Sequence, residues 1–225
     1  MPDGLTSWRE VERIALALRD AGWIFRGQSN PWPLQPAVGR AAVGGGLASS
    51  PAAERAMLEE FKQRARRQMA DVEVPASDLE WLALARSHGL PTRLLDWSLD
   101  PYVAIYFAHI RCGVSCLPQL YAVPRPAPCP PGAGPFAIEE PHSFVPARSD
   151  PRSWRQRLVY TVHPWPILPF HPESLKVWPF HISTAEWRAL RSLLFDLGYS
   201  PGRLVPGLQG IAAQIAWQFE PETMS

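Results

Sequence analysis

A chain of 225 residues with 46% apolar content and ten tryptophans has ample material for a real core, and its length fits one or two domains. Its 22 basic residues stand against 21 acidic ones, which argues against a protein held to nucleic acid or an anionic membrane by a global basic field. Three cysteines without paired CxxC spacing, an N-terminus without a signal pattern and no apolar run near ~20 residues lead to the expectation of a reduced, soluble, cytoplasmic protein.

The first predicted element is a helix over 7–21. Ser7 and Glu10 form a capping box, Trp8, Val11, Ile14 or Ala15, and Leu18 share a face, and Gly22 stops it. A short apolar strand, Trp23 to Arg26, follows and ends on a charge with Gly27 behind it. Residues 40–51, RAAVGGGLASSP, are small and Gly-rich and read as a mobile loop. Ala53, Met57, Phe61, Ala65 and Met69 mark a second helix, on which Arg64, Arg66 and Arg67 with Glu54, Glu59 and Glu60 read as a solvated face. Ser77 and Glu80 cap a third helix ending near Gly89, and Thr92 to Trp97 has strand character. Asp100-Pro101 is an N-cap and N1 proline that opens a fourth helix, YVAIYFAHI.

Gln119 to Val123 reads as a strand. Nine prolines between Pro124 and Pro151 make that stretch irregular. Arg157 to His163 alternates like a strand, and Leu175 to Ile182 reads as another, demoted to an edge by Pro179. A capping box at Ser183 and Glu186 opens a helix with Trp187, Leu190, Leu194 and Leu197 inward, and a helix from Leu208 to Phe219 closes the series. Strands scattered among helices without regular βαβ spacing predict one α+β domain over 1–225.

Two stretches could carry chemistry, WIFRGQSNPWPLQP at 23–36 and HGLPTRLLDWSLDPYVAIYFA at 88–108. Arg26, Arg93, Asp96, Trp97 and Ser98 lie at strand ends, where sites are built. Buried charge requires partners, so Arg93–Asp96 or Arg26–Asp96 is expected to pair. The six histidines lack HExxH or Cys/His ligand spacing, so no metal site is expected. Gly44–Gly46 lacks the Lys and Ser/Thr of a phosphate loop, and no nucleophile elbow is present.

Phe25-Arg26-Gly27, its extension GQSNPWPLQP, the block GLPTRLLDWS at 89–98 and LVPGLQGIAAQIA at 204–216 resemble the FRG domain family, over about Trp23 to Phe219. Where that family reads Gln-His-Tyr-Gly, this chain has Arg86-Ser87-His88-Gly89, a change expected to remove polar groups from a site. Where it reads Arg-x-x-x-Gln-x-Gly-x-Phe-Thr, the chain has Arg152, Gln156, Leu158, Tyr160 and Thr161, with leucine in place of glycine.

The chain also resembles the arginine-type ADP-ribosyltransferases. Their first strand ends in aromatic-Arg-Gly, and their Ser-Thr-Ser strand end leads into a helix. Here Asp96-Trp97-Ser98 stands in that place, with Pro101, Ala104, Phe107 and Ala108 matching the helix. The resemblance implies an ADP-ribosyltransferase-like mixed or antiparallel sheet flanked by helices, with NAD as substrate. Arg26 would grip phosphate or ribose through its planar fork, beside Gly27, Arg93 and Asp96. Ser98 would orient the nicotinamide ribose, and Trp97 or Tyr106 would stack on the ring. The family's Glu-x-Glu is missing: the corresponding strand opens at Arg155-Gln156-Arg157, leaving Gln156, or a loop carboxylate at Glu139 or Glu140, to reach the ribose. Two functions follow: transfer of ADP-ribose to a macromolecule or hydrolysis of NAD, with a hint of a bacterial toxin or anti-phage role, or a non-catalytic module binding a nucleotide, peptide or protein in the same cleft.

Overall fold

The structure is a computed structural model and describes residues 7–44, 50–69, 74–110, 116–146, 151–180 and 184–219. Six strands form one antiparallel sheet in the order β4-β5-β2-β1-β3-β6. In chain order they are β1 (Trp23–Gln28), β2 (Leu94–Ser98), β3 (Gln119–Pro124), β4 (His142–Phe144), β5 (Leu158–Val162) and β6 (Lys176–Pro179). The helices are α1 (Trp8–Asp20), α2 (Ala37–Val43), α3 (Pro51–Arg66), α4 (Asp78–Ser87), α5 (Pro101–His109), α6 (Pro151–Arg155), α7 (Thr184–Asp196), α8 (Pro201–Leu204) and α9 (Leu208–Gln218). This is the expected α+β class.

Local chemistry accounts for the helix starts. The Ser7 hydroxyl accepts from the Glu10 amide at 3.3 Å, Ser50 from Ala53 at 3.1 Å, Ser77 from Glu80 at 3.2 Å, and Asp100 from Tyr102 at 3.0 Å. Ser50-Pro51 is therefore a helix start rather than part of a loop. At the other end of the same Gly-rich stretch, Arg40 to Val43 complete α2, and residues 45–49 lie outside those described.

Helices cover one face of the sheet in two clusters. Around Phe25, Leu120 and Ala122 pack Trp8, Val11 and Ala15 of α1, Ala104 and Ala108 of α5, and Leu190 and Leu194 of α7. Leu94, Tyr160 and Val162 meet Leu58 of α3 and Trp81 and Leu82 of α4. On the other face Ile24, Leu95, Trp97, Tyr121 and Val159 are covered by Leu34, Phe170 and Leu175 rather than by long helices.

Four expectations are corrected. Arg157 has φ 45° and precedes β5 instead of opening it. The Pro-rich segment contains β4, which pairs with β5, and Pro128 bridges Ser143. Of the strand expected over Leu175–Ile182, Leu175 lies before β6 (Lys176–Pro179), which forms the sheet edge as expected, and residues 181 and 182 lie outside those described. Leu197, expected inward, lies just past the end of α7 and is 47% exposed. Ser183 lies outside the described residues. Along α9, Leu208, Ile211 and Ile215 share a face, and each is at least half exposed.

Two buried histidines make the fold acid-sensitive. Burial pulls His109 and His163 from 6.5 to about 4; a bond to the Ile105 carbonyl opposes the shift for the first, and the charge of Arg93 adds to it for the second. The unfolded chain binds these protons at about 6.5 and the folded chain only at about 4, so stability is lost as pH falls through that window. Each histidine contributes a slope approaching about 1.4 kcal/mol per pH unit. Thermal melts between pH 7 and pH 4 should show Tm falling, and His109→Gln should flatten the decline. A profile identical in the variant would exclude His109 as a source.

Candidate functional site

Arg26 lies next to the single registered pair of the β1–β2 ladder, Phe25 opposite Ser98, whereas β1 and β3 pair along their whole length. Strand alternation puts Arg26 on the sheet face of Ile24 and Gln28, and Asp96 on the face of Phe25 and Tyr160. The two meet because the ladder has stopped. The Arg26 Nη1 donates to the Asp96 carbonyl at 2.8 Å and lies 3.7 Å from the Asp96 carboxylate. Its Nε donates to the Gln28 side chain at 3.2 Å. A side-chain fork thus closes the gap where backbone pairing ends.

Asp96 is shared. Arg86, at the end of α4, donates to the same Asp96 oxygen at 2.5 Å. The family-pattern departure at Arg86 was expected to strip polar groups from the site; it supplies a second guanidinium. A third, on the exposed Arg40 of α2, acts electrostatically on both Arg26 and Arg86 while bonded to the Gln35 carbonyl. Two cations therefore share one carboxylate, and the charge of a third reaches them.

The electrostatics reflect that imbalance. Burial lowers Arg26 to about 10; Asp96 opposes the shift, and Arg86 and Arg40 reinforce it. Arg40 is also lowered, by partial desolvation of its guanidinium and then by Arg86. Arg86, closest to the carboxylate, is raised by Asp96. All three remain cations at neutral pH, but their charge is under-compensated, and an anion placed among them would be stabilised. The Arg86 Nε is buried and has no hydrogen-bond partner among the described residues, so one N–H of the cluster is unused. Side-chain exposures of 15% for Arg26, 25% for Arg86 and 29% for Asp96 leave the cluster reachable from solvent.

The other sequence-predicted residues lie elsewhere. Arg93 is 2% exposed and held by Glu54, with Nη2 to Oε2 at 2.7 Å and Nε to both carboxylate oxygens at 3.1 Å. Of the two pairings expected for Asp96, Arg26 makes one and Arg93 does not. Trp97 is buried and donates to the Thr161 hydroxyl at 2.9 Å, and that hydroxyl lies 2.7 Å from the His163 Nε2. Ser98 is buried; its hydroxyl donates to the Gln156 carbonyl at 2.7 Å and accepts from the Asp100 amide at 3.0 Å. Tyr106 is 4% exposed in the core against α1 and α7. The Gln156 side chain donates to the Leu204 carbonyl at 2.9 Å, which ties α6 to α8. Glu139 and Glu140 lie in the Pro-rich segment and are not among the Asp96 or arginine contacts described.

Gly27 has a different reason for being glycine. A Cβ there would lie 1.7 Å from the Ala104 carbonyl and 2.7 Å from the Ala108 amide, so it is the approach of α5 that excludes a side chain. The sequence reading passed over Arg86, Arg40 and Gln28 as site residues. Arg86 had a signal, since it stands three residues before GLPTRLLDW; Arg40 sat in a stretch read as loop.

Residues 21–112 match the family model of the FRG domain. That span takes in β1, α2, α3, α4, β2 and α5, and with them every residue of the arginine cluster; the LVPGLQGIAAQIA segment lies beyond it. No curated protein and no solved structure matches the chain. No described helix is long and apolar enough to cross a membrane.

Proposed function

We propose that this chain, with an FRG domain at residues 21–112, is a binding module for a phosphorylated ligand of the nucleotide class, NAD included, whose phosphates are received by Arg26, Arg86 and Arg40. One observation carries the reading: two guanidiniums, Arg26 and Arg86, share the single Asp96 carboxylate, the charge of Arg40 adds to theirs, and Arg86 retains a buried, unused N–H. A planar fork matches phosphate geometry in two parallel hydrogen bonds. Asp96 keeps Arg26 and Arg86 aligned before the ligand arrives, so less side-chain order has to be created on binding.

Transfer of ADP-ribose, or hydrolysis of NAD, is the second reading. It is supported by the frame in which an Arg-Gly strand lies under a helix entered from Asp96-Trp97-Ser98, with Ala104 and Ala108 of that helix against Gly27. In that reading a carboxylate or Gln156 has to reach the ribose, and Gln156 would first release the Leu204 carbonyl.

Calorimetric titration with NAD tests the binding reading. Arg26→Lys, which keeps the charge without the fork, and Arg86→Gln, which removes both, should each weaken NAD by about tenfold or more. Affinity should fall as salt rises. Wild-type affinity in both variants would refute the cluster as the site. Nicotinamide release in the same samples separates the two readings: turnover that Gln156→Ala lowers more than it lowers affinity supports transfer.

A further inference from the structure

The residues that the sequence offered for stacking, Trp97 and Tyr106, are both inside the core, so the site as described has cations for phosphate and no aromatic surface for a base. Trp32 provides one. It lies in the turn after β1, and its side chain is 54% exposed. Its carbonyl accepts the Gln28 Nε2 at 2.7 Å, and the Oε1 of that same buried Gln28 accepts the Arg26 Nε at 3.2 Å. One glutamine side chain therefore spans the distance from the Trp32 backbone to the Arg26 guanidinium.

The position is rigid. Pro31 and Pro33 flank Trp32, each with its φ fixed by the ring, and the Trp32 amide donates to the Asn30 carbonyl at 2.8 Å. The Asn30 side-chain oxygen in turn accepts a hydrogen bond from the backbone amide of Leu117, itself 53% exposed, at 3.4 Å. A large aromatic ring kept half in water, on a turn whose backbone carbonyl is hydrogen-bonded through Gln28 to a guanidinium, is a way to present a base platform beside a phosphate site.

We infer that Trp32 is the specificity residue of this site, stacking on the aromatic base of a ligand whose diphosphate lies on Arg26 and Arg86. The inference rests on the phosphate-binding reading above and extends it from anions in general to nucleoside diphosphates and their conjugates. Gln28 links the two halves: it orients the Arg26 fork and holds the Trp32 turn with one amide group.

The test is a parallel titration of wild type, Trp32→Ala and Trp32→Phe with ADP and with pyrophosphate, with melting curves to confirm folding. Stacking of one base predicts that wild type binds ADP about tenfold more tightly than pyrophosphate. Trp32→Ala should lose that margin and keep its pyrophosphate affinity, and Trp32→Phe should retain most of the margin. If Trp32→Ala binds ADP as wild type does, or loses ADP and pyrophosphate equally, Trp32 is not the platform, although the arginine site stands. If wild type binds neither compound, the phosphate-binding reading fails and this inference with it.

Discussion

Gly27→Ala is expected to remove about 3 kcal/mol or more of stability, a fall in Tm of roughly 10 °C for a chain of this size. The added Cβ would sit 1.7 Å from the Ala104 carbonyl oxygen, far inside contact distance. A flexible side chain could swing aside; a carbonyl in the middle of α5 cannot, because it belongs to the hydrogen-bond ladder of that helix. The strand and helix must separate, and Phe25, Leu120, Ala104 and Ala108 lose their packing together. Two controls make the outcome specific. Gly134→Ala, where nothing lies within 4 Å, should leave Tm nearly unchanged. Ala104→Gly in the Gly27→Ala background should fail to rescue, since the obstacle is backbone. A Gly27→Ala protein that melts with wild type would mean that α5 does not approach β1 as described.

The second large effect lies in the Arg93–Glu54 pair. Arg93→Leu should cost about 3–5 kcal/mol, because it strands the Glu54 carboxylate at 4% exposure. The guanidinium also donates to the Pro135 carbonyl at 3.0 Å and the His163 carbonyl at 3.3 Å, and it lies 4.4 Å over the Phe136 ring. Glu54 accepts in addition from the Arg93 backbone amide at 3.0 Å. This one residue therefore joins α3, the start of β2, the end of β5 and the Pro-rich segment. Arg93→Leu combined with Glu54→Leu should be less damaging than the two single effects added, by more than about 1 kcal/mol in urea unfolding. Simple additivity would show that the two side chains act independently.

Sequence reading reached as far as local chemistry reaches. The caps at Ser7 and Ser77, Asp100-Pro101 and the apolar face of α1 each depend on residues within a turn or two, and each is where it was expected. Partners set by tertiary contact were beyond it. Glu54 sits one turn from exposed Glu59 and Glu60 in a helix patterned with charge, and nothing local marks it as the acid that is buried. Arg93 has Asp96 three residues away in sequence, but alternation along β2 carries them apart, and α3 brings Glu54 instead. Arg26–Asp96 was legible because a charge at the end of an apolar strand needs an acid. Arg86 was legible only as a departure from the family pattern, and the sign of its effect waited on α4 aiming it at Asp96. Gln156 and Ser98 owed their expected ribose contacts to the resemblance with ADP-ribosyltransferases; in the structure the Ser98 hydroxyl donates to the Gln156 carbonyl and the Gln156 side chain to the Leu204 carbonyl.

The two outer strands have a bearing on how the chain behaves in crowded solution. β4 has three residues between Pro141 and Pro146, and β6 carries Lys176 and ends at Pro179. A neighbouring molecule seeking to extend the sheet finds too few free amides and carbonyls in line at either rim, and prolines that donate nothing where the row would continue. A sheet whose centre buries Ile24, Phe25, Leu94, Leu95, Leu120 and Val159 is thereby guarded against fibril growth by its least regular segments.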